Sequence, residues 1–181
     1  MVLKYQNISI SGGVACGKGT LKDGLRQYLE PLGWKFASGG ELNRRKSGDN
    51  LTPSAEKVSV EFNNSIEKRT EDLFIKEKNY VIEAWLAGWV ARNMTDTLRI
   101  FMYCSNDAVR VDRVSNRDHV DIQTAKEIIR DRELANFSEW KRIYGDHNFW
   151  DPNIYQLKID TYSLGKTQAV QAALEALGFQ K

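Results

Sequence analysis

Nine residues near the amino terminus constrain the fold of this chain most: Gly12-Gly13-Val14-Ala15-Cys16-Gly17-Lys18-Gly19-Thr20. They follow Ile8-Ser9-Ile10-Ser11, a short alternating run that reads as a β-strand. They precede Leu21, Leu25, Leu29 and Leu32, apolar residues at helical spacing that stop at Pro31-Leu32-Gly33. A strand that passes through glycines into a helix makes a loop whose backbone N–H groups turn inward beside the positive end of the helix. Such a loop cradles phosphate, and Lys18 can reach the outer phosphates of a nucleotide as a mobile cation. Gly12, Gly13, Val14, Ala15, Cys16, Gly17, Lys18, Gly19 and Thr20 are all candidate contacts. Cys16 reads in two ways, as a thiol made acidic by the surrounding dipoles or as a small residue that supplies only its backbone.

The rest of the chain alternates strands and helices. Trp34 to Ala37 is a second strand, and Thr52-Pro53 is a helix start with proline at the first helical position. The helix it opens sets Val58, Phe62 and Ile66 on one face and is expected to run to about Lys78. Tyr80 to Glu83 and Leu98 to Tyr103 are mostly apolar with abrupt polar ends, as in strands buried on both faces. Helices are expected over Asp107 to Ser115 and Asp121 to Tyr144, a last strand over Ile154 to Ile159, and a last helix over Thr167 to Leu177. This order predicts an α/β fold, a parallel sheet covered by helices on both faces. The 181 residues, 41% of them hydrophobic, suffice for one domain spanning 1–181, with no repeat or linker.

Several function classes fall away. Lys and Arg number 26 against 24 Asp and Glu, a net charge of +2, which gives no reason to expect nucleic-acid or membrane partners. Two distant cysteines, Cys16 and Cys104, and two histidines, His119 and His147, leave little for a zinc site. The first residues carry no long apolar stretch, and no run approaches a membrane span. The expectation is a cytoplasmic monomer with reduced thiols, acting on small molecules.

Beyond the loop, Ser38-Gly39-Gly40-Glu41-Leu42-Asn43-Arg44 follows the second strand. Ser38 can cap a helix there, and Arg44 can grip a phosphate with two parallel hydrogen bonds, or simply sit in solvent. Glu83 ends the third strand, where an acid would face the phosphate loop and could hold Mg2+ through water. Arg110, Arg113 and Arg117 recur at helical spacing, and Arg130 and Arg132 follow in the long helix. About half of these five are expected to touch phosphate, because Asp112, Asp118, Asp131 and Glu133 are near enough to make a solvated charged face.

Together these segments resemble the nucleoside monophosphate kinases, and within them the archaeal type of cytidylate kinase. Gly-Lys-Gly-Thr at 17–20 is the form found in that superfamily, and Leu86-Ala87-Gly88-Trp89 after Glu83 points to the branch. Arg110-x-x-Arg113-x-x-x-Arg117, Arg132-Glu133, Tyr144-Gly145, Tyr155 and Thr161 extend the likeness over nearly the whole chain. The resemblance implies a P-loop kinase fold with a five-stranded parallel sheet, a helical acceptor-binding segment over about 39–78 and a short lid over about 116–132. It implies ATP as phosphoryl donor with Mg2+, and transfer to CMP or dCMP. Lys18 would hold the donor phosphates, and Arg113, Arg117 and Arg132 the transition state. Ser38, Arg44, Glu83, Trp85 and Gly88 would serve the acceptor. The departures sit on the acceptor or lid side: Glu83-Ala84-Trp85 stands where the family has Glu-Gly-Arg, Glu41 where it has Asp, and Ala135 and Glu139-Trp140 where it has a serine and an Arg-Tyr pair. Trp85 could stack on a base in place of the lost arginine or be a core residue. That departure keeps open a kinase for another nucleotide or a small metabolite, and a regulatory ATP-binding protein stands behind both.

Overall fold

The computed structural model describes residues 3–42 and 60–180, side chains of residues 60–66 apart, and in it the alternating run forms β1 (Asn7–Gly12), every residue buried. The helix α1 (Lys18–Leu29) follows, closed by a 3-10 turn over Glu30–Leu32. Then come β2 (Lys35–Ser38), a helix α2 described over 39–42, and α3 (Val60–Lys76). β3 (Tyr80–Glu83) leads into a short helix α4 (Ala87–Val90) and β4 (Thr97–Tyr103). The helices α5 (Asp107–Asp118) and α6 (Ile122–Tyr144) form a hairpin before β5 (Leu157–Asp160) and α7 (Lys166–Leu177).

The five strands lie in the order β2-β3-β1-β4-β5, and every pairing is parallel. β1 is central because its chain leaves to one side through α1 and returns past β3 to the other side as β4. The carboxyl ends of β1, β3 and β4 therefore flank a crevice, the place where open parallel sheets bind ligands. Ile10 sits level with Glu83 and Ile100 there.

One sheet face packs on α1 and α7, where Leu21, Leu25, Leu29, Val170, Leu174 and Leu177 meet Ile8, Ile100 and Ile159. Gly24 permits the close approach of these helices, since a Cβ there would stand 2.4 Å from Val170 Cγ2. The other face is covered by Leu42, Phe74, Ala87 and Ala91 around Ile82. Asn7 ties the α3 end to this face, its Nδ2 donating to Phe74 O at 3.2 Å while its Oδ1 accepts from Tyr80 N at 3.0 Å. None of the helices among the described residues is long and apolar enough to cross a membrane.

The differences from expectation are local. The last strand starts at Leu157 rather than Ile154, because Pro152–Ile154 winds into a 3-10 turn capped by Asp151. α5 continues to Asp118 and ends on His119 at φ 55, and Asp121 then caps α6 by accepting from Thr124 N. α4 was not foreseen. The helix start at Thr52-Pro53 and the packing of Val58, Phe62 and Ile66 lie outside the described residues and side chains.

Candidate active site

The phosphate loop owes its shape to backbone that few side chains tolerate. Gly12 has φ 145, and a Cβ there would lie 2.1 Å from the Met102 carbonyl oxygen. Ala15 and Gly17 are left-handed, at φ 56 and 80, so the chain curls back before α1 begins. Gly17 caps α1 with no side chain, which leaves the first helical N–H groups for an anion. Lys18 Nζ donates to Gly13 O at 2.7 Å and stands 3.9 Å from Glu83 Oε1 and 5.4 Å from the Trp85 ring. Burial pushes its pKa down, and the Glu83 carboxylate opposes that. Cys16 is buried too, and burial raises its thiol pKa against the pull of Arg110 and Lys18. A neutral thiol follows, its Sγ donating to Val14 O at 3.5 Å.

The α5–α6 hairpin is pinned to this loop. Val14 packs with Val111, Val114, Ala125 and Ile129. Arg110 Nε donates to Val14 O at 3.1 Å, and its Nη2 pairs with Glu133, whose Oε1 also accepts from Val14 N at 3.2 Å. Arg113 Nη1 donates to Ala15 O at 3.0 Å and Thr161 Oγ1 at 2.8 Å, and Nη2 to Thr161 O at 2.9 Å. Arg117 lies beside Asp118, with Nη2 2.6 Å from Oδ2. Arg132 has no hydrogen bond or ion pair among the described residues, and its guanidinium is 6.0 Å from the Trp85 ring. Burial and the like charge of Arg117 lower its pKa. Arg113, Arg117 and Arg132 thus reach the cleft; Arg110 is committed to the loop and Glu133, and Arg130 is at the surface with Asp131.

At the end of β2, Ser38 and Glu41 cap α2 reciprocally: Glu41 N donates to Ser38 Oγ at 3.1 Å and Ser38 N to Glu41 Oε2 at 2.7 Å. Ser38, Gly39, Glu83 and Trp85 line the cleft. Trp85 lies nearly parallel to Trp150 at 6.0 Å and edge-on to Trp140 at 5.6 Å. Gly88 is placed elsewhere. Its N–H donates to Ser11 Oγ at 2.7 Å and its α-carbon faces Tyr155, so it is a buried packing position rather than a cleft contact. Arg44 lies outside the described residues. Glu67, Thr70, Asn136 and Trp140 also line the cleft and were missed. The spacing of Glu67 and Thr70, three residues apart on one helix, was the available signal, but an acid and a hydroxyl on a helix usually read as a solvated face.

These residues enclose one continuous cleft of about 850 Å3, which reaches from Thr161 and Lys166 past the phosphate loop to Ser38 and Glu67. That is room for two small ligands end to end. No cluster of three or more His, Cys, Asp or Glu among the described residues is placed to hold a metal. A single carboxylate beside a phosphate loop still suits Mg2+, which keeps most of its waters and takes its other ligands from phosphate.

Residues 33–163 match the cytidylate kinase-like family. Among individual proteins, the cytidylate kinase of Haloarcula marismortui is 27% identical over 159 residues, 85% of this chain and 80% of that one. The cytidylate kinase of Natronomonas pharaonis is 28% identical over 177 residues, 93% of this chain and 89% of that one. The structure of shikimate kinase from Bacteroides thetaiotaomicron superimposes with a TM-score of 0.65 at 15% identity, covering 96% of this chain and 99% of that one, a likeness of fold.

Proposed function

The chain belongs to the cytidylate kinase-like family, and from that membership and the form of its cleft we propose that it transfers the γ-phosphoryl group of ATP to a nucleoside monophosphate, CMP or dCMP first. The observation that carries this is one continuous cleft that runs from Thr161 and Lys166 past Lys18 to Ser38, with Arg117 and Arg132 on its lining and the Lys18 ammonium 5.4 Å from the Trp85 ring.

In this reading the loop from Gly12 to Thr20 holds the donor phosphates through its N–H groups, and Lys18 gives up its bond to Gly13 O to follow the γ-phosphoryl group. Arg132, which lies over the Trp85 ring and has no hydrogen bond or ion pair among the described residues, stabilises the charge that spreads over the transferring group, and Arg117 does so by leaving Asp118. Arg113 acts at one remove, holding Ala15 and Thr161 so that loop and nucleotide side keep register. Glu83 would hold Mg2+ through water, and the ion would supply positive charge to offset that of the phosphates. No strong base is required, because phosphoryl transfer of this kind depends on positioning and electrostatics. The α5–α6 turn, about 116–132, is the lid that excludes water, and about 39–78 is the acceptor-binding segment that includes Arg44. Trp85, on the cleft lining, offers its ring to the acceptor.

A coupled assay offering ATP with each nucleoside monophosphate tests this. CMP or dCMP is expected to give the highest kcat/KM. ATP binding with no monophosphate turned over would overturn the assignment and leave the small-metabolite kinase in its place.

A further inference from the structure

The segment between β3 and α4 sets one indole beside two cations of the cleft. The Lys18 ammonium stands 5.4 Å and the Arg132 guanidinium 6.0 Å from the centre of the Trp85 ring, within reach of cation–π attraction. The ring is itself held in place. Trp150 lies nearly parallel to it at 6.0 Å, Trp140 meets it edge to face at 5.6 Å, and Trp150 Nε1 donates to Trp85 O at 3.1 Å. Trp150 in turn packs on Phe101 of β4 and Phe137 of α6, which ties the indole to the sheet and to the hairpin.

Arg132 is held differently from the other arginines near the phosphate loop. Arg110, Arg113 and Arg117 each commit N–H groups to acceptors on this chain. Arg132 makes no hydrogen bond or ion pair among the described residues, and its guanidinium lies instead over the Trp85 ring. A π face attracts the charge as a whole and takes up none of the N–H donors, whereas an ion pair would hold the guanidinium by the donors that a phosphate needs. The arrangement also brings like charges together: burial chiefly, and with it the charge of Arg132, lowers the Lys18 pKa. An electron-rich ring beside both cations offsets part of that repulsion. We propose that Trp85 is a positioning residue for phosphoryl transfer, its indole seating Arg132 beside Lys18 so that the guanidinium meets the transferring group with its donors open. This rests on the monophosphate-kinase reading above and deepens it. The ring serves the acceptor at its phosphate end, through Arg132, rather than by stacking on the base.

The test uses the full chain, with kcat and the KM values for CMP and ATP measured for Trp85→Leu and Trp85→Phe. Leucine has no π face, and is expected to lower kcat about tenfold while both KM values stay within about threefold. Phenylalanine keeps a smaller face and should recover most of that loss, leaving kcat about threefold down. Because the ring acts through Arg132, the losses do not add: in an Arg132→Gln background, Trp85→Leu should lower kcat by no more than about twofold further. Circular dichroism and a thermal melt establish that each variant folds; should the leucine variant fail to, Trp85→Met is read with the same constants. A folded variant lacking the ring whose kcat is unchanged overturns the proposal. So does a rise in the KM for CMP with kcat intact, which marks a ring stacked on the base, and so does a phenylalanine variant no faster than leucine, which marks packing alone. A full tenfold loss in the Arg132→Gln background overturns it as well, since the ring then acts without Arg132. If the unsubstituted chain phosphorylates CMP and one of these results is found, only this inference fails. If it phosphorylates no monophosphate, the functional reading fails and takes this inference with it.

Discussion

Lys18 is the residue on which most depends. Its ammonium is a buried cation that donates to Gly13 O and lies 3.9 Å from Glu83 Oε1. Lys18→Ala is expected to lower kcat about 100-fold or more without unfolding the chain, as initial rates and circular dichroism would show. Gly88 behaves oppositely. A Cβ there would lie 2.2 Å from Tyr155 Cε1 inside the core, so Gly88→Ala should destabilise by about 2 kcal/mol in urea unfolding, with the KM for CMP unchanged in the folded fraction. Glu67 gives a pH signature. Its carboxyl pKa is raised from 4.5 to about 7 by burial, so its contribution is fully present below about pH 4.5 and is lost as pH rises through 7. Relative to Glu67→Gln, the unsubstituted chain should therefore lose on the order of 3 kcal/mol between pH 4.5 and pH 8, measurable by urea unfolding at each pH.

At the scale of elements, the hairpin of α5 and α6 is joined to the phosphate loop by Arg110, Arg113 and Glu133. Glu133→Ala would leave Val14 N and the enclosed Arg110 without their shared acceptor, loosening α6 from the loop. The expected result is a rise of about tenfold in the KM for ATP, measured at saturating CMP; an unchanged value would mean the hairpin is held by the Val111 and Ile129 packing alone. The elements themselves were largely legible in the sequence, because apolar spacing and caps such as Asp121 act locally. The last strand was misplaced because Asp151-Pro152 sets a turn that outweighs the β-branched Ile154. The donor loop was legible for the same local reason. What was not legible depends on contacts far along the chain: Gly88 looked like part of a motif for the acceptor, yet Ser11 and Tyr155 decide its place. Arg110 looked like Arg113 in sequence, and only Glu133, 23 residues on, separates their roles.

For the whole molecule, the sheet order sets the ends of β1 and β3 side by side, so that the phosphate loop and the wall at Glu83 and Trp85, far apart in sequence, share one cleft. A cleft that merely bound ATP would need neither the wall at Ser38 and Trp85 nor Arg132 left without a hydrogen bond or ion pair among the described residues. The direct check is 31P NMR of the full chain mixed with ATP, CMP and Mg2+. Joint loss of the ATP γ and CMP resonances, with growth of CDP and ADP and no inorganic phosphate, is the predicted result. Release of inorganic phosphate while the CMP resonance stays constant would contradict it.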